Sequence, residues 1–275
     1  MSLTSLLRTN EDVRARFRKE FPKQKFAIRR EVLAPPLSNR YSLVGTAFDY
    51  LLRFYLKRLN QETVFEKSWI AEADVDLLID WPKLYKKGLN IVAQARKNVK
   101  NFLKTGRITE NLIKYAILLG QLDPIYRAGV GYESIGLIYK EDVQDLKKLI
   151  SVVEPSLFKA KKICLINPTF GKASTLVGGA DADAVIDDTI IDIKTTKTLA
   201  LRKRDFQQLM GYYVLHQIGQ IGELKPKLEI KKVAIYFSRY AYLHYFKIGS
   251  IVDKTTLPAF IKWCVWRARS EFLAF

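Results

Sequence analysis

Hydrophobic and polar positions divide the chain into two regimes. From Ser42 to Leu59 the apolar side chains recur at helical spacing, with Leu51, Leu52, Tyr55, Leu56 and Leu59 on one broad face. From about residue 68 to 150 the pattern predicts several more helices, with breaks near Pro82, Gly106, Pro124 and the Gly129 and Gly131 pair, and no strand pattern of comparable strength interrupts them. After Pro155 the period shortens. Ile163 to Ile166 reads as a short strand. Ala184 to Ile186 and Thr189 to Thr196 read as a hairpin. Asp205 is placed to cap a helix running through Gly211 and Tyr213 toward Gln220. Strands over Lys232 to Ser238 and Tyr242 to Ile248 and a closing helix from about Leu257 to Leu273 complete the chain. The first forty residues read as a basic, irregular arm ending in Ala34-Pro35-Pro36-Leu37-Ser38, where the prolines exclude helix. The order of elements predicts an α/β protein, a mixed core wrapped by helices, with no internal repeat.

The chain has 275 residues, 48% of them hydrophobic, which supports a sizeable core. Its formal charge of +18 points toward a polyanion, either nucleic acid or an acidic membrane surface. No apolar run approaches the roughly 20 residues that span a bilayer, and the first 18 residues mix Arg with Glu11 and Asp12 instead of leading into a hydrophobic signal, so a soluble, cytoplasmic protein is expected. Two cysteines, Cys164 and Cys264, are too few for an iron–sulfur cluster or a structural cysteine zinc site and read as buried small hydrophobes. His216 and His244 have no partner at ligand spacing and read as ordinary helix and strand residues. A nucleotide phosphate loop of the G-x-x-x-x-G-K-[ST] type is absent from the sequence, so any ATP-driven unwinding would fall to a partner.

The most informative segment runs from Gly178 to Lys197, G-G-A-D-A-D-A-V-I-D-D-T-I-I-D-I-K-T-T-K. With Asp187-Asp188 as a two-residue turn, Ile186 pairs with Thr189, Val185 with Ile190, Ala184 with Ile191, and Asp183 comes to stand opposite Asp192. Lys194 shares the face of Asp192, and the same register puts Asp181 across from Lys194. Like charges directly opposed are destabilising, so a site that keeps them commonly holds a cation, and hard oxygen ligands beside an amine suit Mg²⁺ or Mn²⁺. A solvated hairpin face with a weak Asp181–Lys194 surface pair is the competing reading. The apolar strand around D-I-K, with Val185 and Ile190 on the acidic face, argues against it.

These residues resemble the PD-(D/E)XK nuclease superfamily and, within it, the RecB-type exonuclease branch. Asp183 with Asp192-Ile193-Lys194 looks like the family's metal-binding acid and D-x-K. Gln208-Leu-Met-Gly-Tyr212 is similar to the Q-x-x-x-Y element of the helix after the core strands, and Gly45-Thr-Ala-Phe-Asp49 to the G-T-x-x-H that opens the first core helix. The sequence departs from the pattern in having Ala182 where the family name has proline and Asp49 where the RecB branch has histidine, and Asp181 competes with Asp183 for the role of first acid. The resemblance implies a restriction-endonuclease-like core of helix, three-stranded meander, helix and strand. The chain then divides into an arm (1–40), the first core helix (41–67), a helical insertion (68–155) and the nuclease core (156–275).

The resemblance also implies roles. Asp183, Asp192 and the Ile193 carbonyl, with Asp49 as a further candidate, would hold Mg²⁺ or Mn²⁺. Lys194 would orient water or neutralise transition-state charge, and Gln208 and Tyr212, one helical turn apart, would contact the site or a base. Lys197, Arg202, Lys203 and Arg204 would meet phosphates, and Thr195 and Thr196 would either join them or only finish the strand. From Trp81 through Thr109 there is no acidic residue, while Lys83, Lys86, Lys97, Lys100 and Lys104 accumulate; such a run either tracks a phosphate backbone or is a solvated helix face. The function expected is a metal-dependent deoxyribonuclease of DNA repair, recombination or defence, acting on DNA or RNA with a helicase or other protein partner. A catalytically inactive nuclease-fold protein that binds nucleic acid or an assembly partner is the alternative, and a basic membrane-surface component a third class.

Overall fold

The computed structural model describes residues 2–66, 69–123, 135–224 and 226–272. It is an α/β structure built on a mixed, open sheet of six strands in sequential order: β1 (Val64–Glu66), β2 (Cys164–Ile166), β3 (Ala184–Ile186), β4 (Thr189–Lys194), β5 (Lys232–Phe237) and β6 (Tyr242–Lys247). β2, β3 and β4 form an antiparallel meander, β5 lies parallel to β4, and β1 and β6 close the two edges.

Side-chain alternation divides the interior into two cores. Ala184, Ile186, Ile191, Ala234 and Tyr236 point to one face, which is covered by α3 (Tyr41–Leu59), α4 (Ile70–Asp76), α5 (Pro82–Thr105), α6 (Glu110–Leu122) and α7 (Lys140–Ser151). Val185, Ile190, Val233, Ile235 and Phe237 point to the other, against α1 (Leu3–Thr9), α2 (Glu11–Glu20), α8 (Lys172–Leu176), α9 (Lys203–Gly219) and α10 (Leu257–Phe272). With both faces covered, the centre of β4 reads as a continuous apolar run.

The expected hairpin has the expected register: Ile186 pairs with Thr189, Val185 with Ile190 and Ala184 with Ile191. Asp187 turns the chain with φ of 52° and its carboxylate accepts the amides of Lys161, Lys162 and Ile163 at 2.8 to 3.2 Å. Those bonds fasten the turn to the segment entering β2. Pro82 opens α5 and Gly106, at φ of 71°, ends it in the left-handed conformation that glycine adopts without strain. The breaks expected at Pro124, Gly129 and Gly131 and the expected helix end at Leu273 lie outside the described residues.

Three expectations are corrected. The first forty residues are not an irregular arm throughout: α1 and α2 bury Leu3, Leu6, Leu7, Val13 and Phe17, and Phe17 and Phe21 meet Phe260 of α10 edge-on at 5.1 and 5.2 Å. Close approach is possible because α9 presents Gly211, where a methyl group would come within 2.9 Å of Leu3. β1, three residues long, carries no periodicity of its own and exists because it pairs with β2. Asp205 is not the cap of α9; Arg202 occupies that position, and Asp205 sits buried in the first turn, where a carboxylate favours the helix dipole.

The Pro-Pro segment is non-helical, as its sequence requires, and acts as a strap. Arg239, after β5, donates to both Asp145 oxygens at 2.7 and 3.1 Å and to the Ala34 carbonyl at 3.0 Å. Asp145 also accepts the Leu37 and Ser38 amides, and Ser38 donates to Asp142 at 2.6 Å. Arg239 and both acids are buried. His216 accepts the Ile221 amide at 3.1 Å, His244 packs against Phe26 and Phe246, and the two cysteines are free thiols, Cys164 buried and Cys264 half-buried. No described helix is long and apolar enough to cross a membrane.

Asp187→Ala removes an acceptor shared by three amides and leaves the β-carbon at positive φ without the side-chain bonds that offset it. Urea unfolding should show a loss of about 1–3 kcal/mol.

Candidate active site

The site forms at the end of β4, where the ladder to β3 runs out. The last rung is Ala184 with Ile191, so Asp183 lies just beyond the paired residues instead of forming a rung with Asp192. Its backbone carbonyl accepts the Asn167 amide at 3.1 Å, and its carboxylate accepts the Ile193 amide at 2.5 Å. Ile193, expected to offer a carbonyl, thus engages Asp183 through its N–H. Asp181 is not across from Lys194; it is bridged to Thr169 on the β2 side.

Asp192 projects from β4 toward α9 and is buried. The Lys194 amine lies 3.0 Å from one of its oxygens and 2.8 Å from the other. It also donates to Gln208 Oε1 at 3.1 Å, and Gln208 Nε2 donates to the Tyr212 hydroxyl at 2.7 Å. A continuous polar chain therefore runs Asp192, Lys194, Gln208, Tyr212, with the last two one turn apart on α9. The Tyr212 ring stacks on Phe170 at 5.5 Å, which fixes the far end.

The opposite wall is α3. Gly45 passes alongside Thr195 at the end of β4, and one turn later Asp49 enters the site, paired with Arg53 of the next turn. Arg53 is the residue the sequence reading missed: it is buried, stacks over Tyr50 at 5.2 Å, and its charge is held by Asp49, Tyr50, Asp183 and Asp181. A cation one turn after Asp49 inside an otherwise apolar helix face was the available signal. Tyr50 in turn donates to Asp123 at 3.0 Å.

The electrostatics follow from this crowding. Burial pushes the Asp192 carboxyl up to about 7, with Asp183 reinforcing the rise and Lys194 opposing it. Asp49 is likewise raised to about 7, first by burial and then by Asp183 and Asp123, against Arg53. For Lys194 burial works against the charge, but Asp192 and Asp183 outweigh it and the ammonium is held above its ordinary range. Burial, then the charges of Asp192, Asp183 and Asp181, keep Tyr212 protonated.

One buried oxygen of the site, Asp49 Oδ1, accepts no hydrogen bond, while both Asp192 oxygens face the Lys194 ammonium. Among the described residues no three carboxylate, imidazole or thiolate groups are drawn into a finished cage. The groups that could hold a hard divalent cation are nevertheless present: buried carboxylate oxygens, one of them, Asp49 Oδ1, without a hydrogen-bond donor. Lys197, Arg202, Lys203 and Arg204 are exposed beside this edge, with Arg202 and Arg204 3.9 and 3.7 Å from Asp205. β4 ends at Lys194, two residues short of the expected Thr196; beyond it Thr195 is engaged by Ser238 at 3.0 Å and Thr196 by the Thr198 carbonyl at 3.0 Å.

No protein-family model, curated protein or solved structure matches the chain.

Because Asp49 and Asp192 titrate near 7 in the fold and near 3.8 when unfolded, folding takes up protons between these values. Stability should therefore fall as pH rises from 4 to 7 in chelator, and Asp192→Asn should flatten that slope in thermal-denaturation profiles. Arg53→Met leaves Asp49 buried beside Asp183 with no counter-charge. It should cost about 2–4 kcal/mol by urea unfolding, more at pH 8 than at pH 6, where protonation of Asp49 relieves it.

Proposed function

We propose that the protein is a divalent-metal-dependent nuclease that hydrolyses DNA phosphodiester bonds, with a restriction-endonuclease-like core formed by α3, the β2–β4 meander, α9 and β5. The observation that carries this reading is the convergence of Asp183, Asp192 and Lys194 at the open end of β4, with Lys194 held between Asp192 and Gln208. Surface ion pairs are not built this way. A lysine clamped by a buried acid and an amide from a second element has its amine fixed in place, which is what a positioned catalytic ammonium requires.

Asp183, Asp192 and Asp49 would hold Mg²⁺ or Mn²⁺, which when bound polarises the phosphate and supplies hydroxide at neutral pH. Asp192, facing the Lys194 ammonium with both oxygens, and Asp183, steadied by the Ile193 amide, present charge to the scissile phosphate's edge of the sheet. Lys194 carries a permanent positive charge there, suited to orienting the attacking water or to offsetting negative charge that grows on the phosphate oxygens. Gln208 and Tyr212 hold the amine's direction from α9. Lys197, Arg202, Lys203 and Arg204 extend the positive edge along which a phosphate backbone would enter. Roles in DNA repair, recombination or defence, and assembly with a helicase partner, belong to the same proposal.

Linear and circular DNA incubated with Mg²⁺, Mn²⁺ or chelator tests it. Cleavage should need the metal and fall at least about a thousandfold in Lys194→Ala and in Asp192→Ala while DNA affinity persists. Unchanged cleavage in either variant removes this site from the chemistry. DNA retention without turnover in any divalent metal would identify a nuclease-like scaffold that only binds.

A further inference from the structure

The acid-free stretch around α5 takes no part in the site, and the fold gives it a definite shape. α5 buries Gly88, Ile91, Ala95, Val99 and Phe102 against α3 and α6, which turns the opposite side of the helix outward. On that side Lys83, Lys97 and Lys104 fall at seven-residue intervals in one row with Asn90, and Lys86 and Lys100 form the adjoining row. All five lysines are exposed, and none is in an ion pair or side-chain hydrogen bond among the described residues. The two cations of the helix that do have partners lie off this ridge: Arg96 pairs with Glu72, and Lys87 donates to the Ile135 carbonyl. The ridge is about 30 Å long, the axial length of about nine base pairs.

We infer that this ridge is a second nucleic-acid surface, separate from the β4 edge, along which the phosphate backbone of a duplex lies. An acidic membrane would be served differently: an interfacial helix must free its apolar stripe to enter the bilayer, and the stripe of α5 is sealed into the core. A merely solvated helix commonly intersperses acids with its lysines for i,i+4 pairing, and 29 residues here contain none. Repeated point charges without hydrogen-bonding specificity bind phosphate by releasing counterions, so the surface would add affinity and track without reading sequence. The choice of duplex nucleic acid as occupant rests on the proposed nuclease activity; the ridge itself does not.

The test is binding of a fluorescent duplex of roughly 20 base pairs in chelator, where no cleavage occurs, at salt from about 50 to 200 mM. In the fourfold variant K83Q/K86Q/K97Q/K104Q the slope of log K against log salt should flatten by about 3.5, with each of the double variants K83Q/K86Q and K97Q/K104Q giving about half of this. The fourfold Lys→Arg variant should keep the parent slope, and thermal denaturation should be unchanged in all of them. An unchanged slope in the glutamine variants overturns the inference, as does loss of binding to phosphatidylserine vesicles with the DNA slope intact. Because metal is absent throughout, failure of the nuclease reading and failure of the ridge are scored separately.

Discussion

The pairing register of β3 with β4 is the constraint on which the site depends. A slip of one residue would rotate Asp192 and Lys194 to the α3 side of the sheet, away from Gln208 and Tyr212, and exchange the two hydrophobic cores. Two features prevent it. Ile191 and Ile190 each have a dedicated core to enter, so a slipped strand would bury Asp192 among Ile186, Ala234 and Tyr236. The Asp187 carboxylate, gripping three amides ahead of β2, fixes the turn from outside the ladder. The geometry of the acids is thus decided several residues away from them, by the turn.

Beyond the last rung the sheet stops imposing partners, and the polar groups arrange themselves. Asp183 bends to the Ile193 amide, Asp192 holds Lys194, and Asp49 holds Arg53. Burial drives the Asp49 and Asp192 carboxyls toward the protonated form, and the neighbouring Asp183 adds to the rise against the opposing cations Arg53 and Lys194. This local frustration sits inside a frame of well-satisfied strands and helices.

Much of this was readable from residues alone, and the misses have physical causes. The hairpin was legible because a polar pair separates two apolar runs, and β5 because of its apolar run; α9 is buried nearly all round and was legible from its start near Asp205. α1 and α2 were hidden by charge: Leu3, Leu6, Leu7, Val13 and Phe17 keep helical spacing, but the arginines among them dominate the composition. Arg53 was hidden for the reverse reason, since a long cation on a helix is normally assigned to the surface, and only the tertiary packing of α3 against its neighbours encloses it. β1 could not be read at all, because three residues become a strand only when a neighbour offers an edge. Asp183 and Asp181 show the limit of register arguments: they extrapolate correctly only as far as the ladder itself persists.

Arg239 ties together parts of the chain that sequence keeps far apart, gripping a helix of the outer layer, the proline strap before α3 and the end of a central strand in one enclosed knot. The helices between residues 70 and 151 therefore are not an appendage that evolution or an engineer could trim away. Excising them would strand a guanidinium in the protein's interior and unfasten the strap leading into α3, and with it the helix that carries Asp49. The open edge of β4 and the outer helical layer stand or fall as one architectural unit.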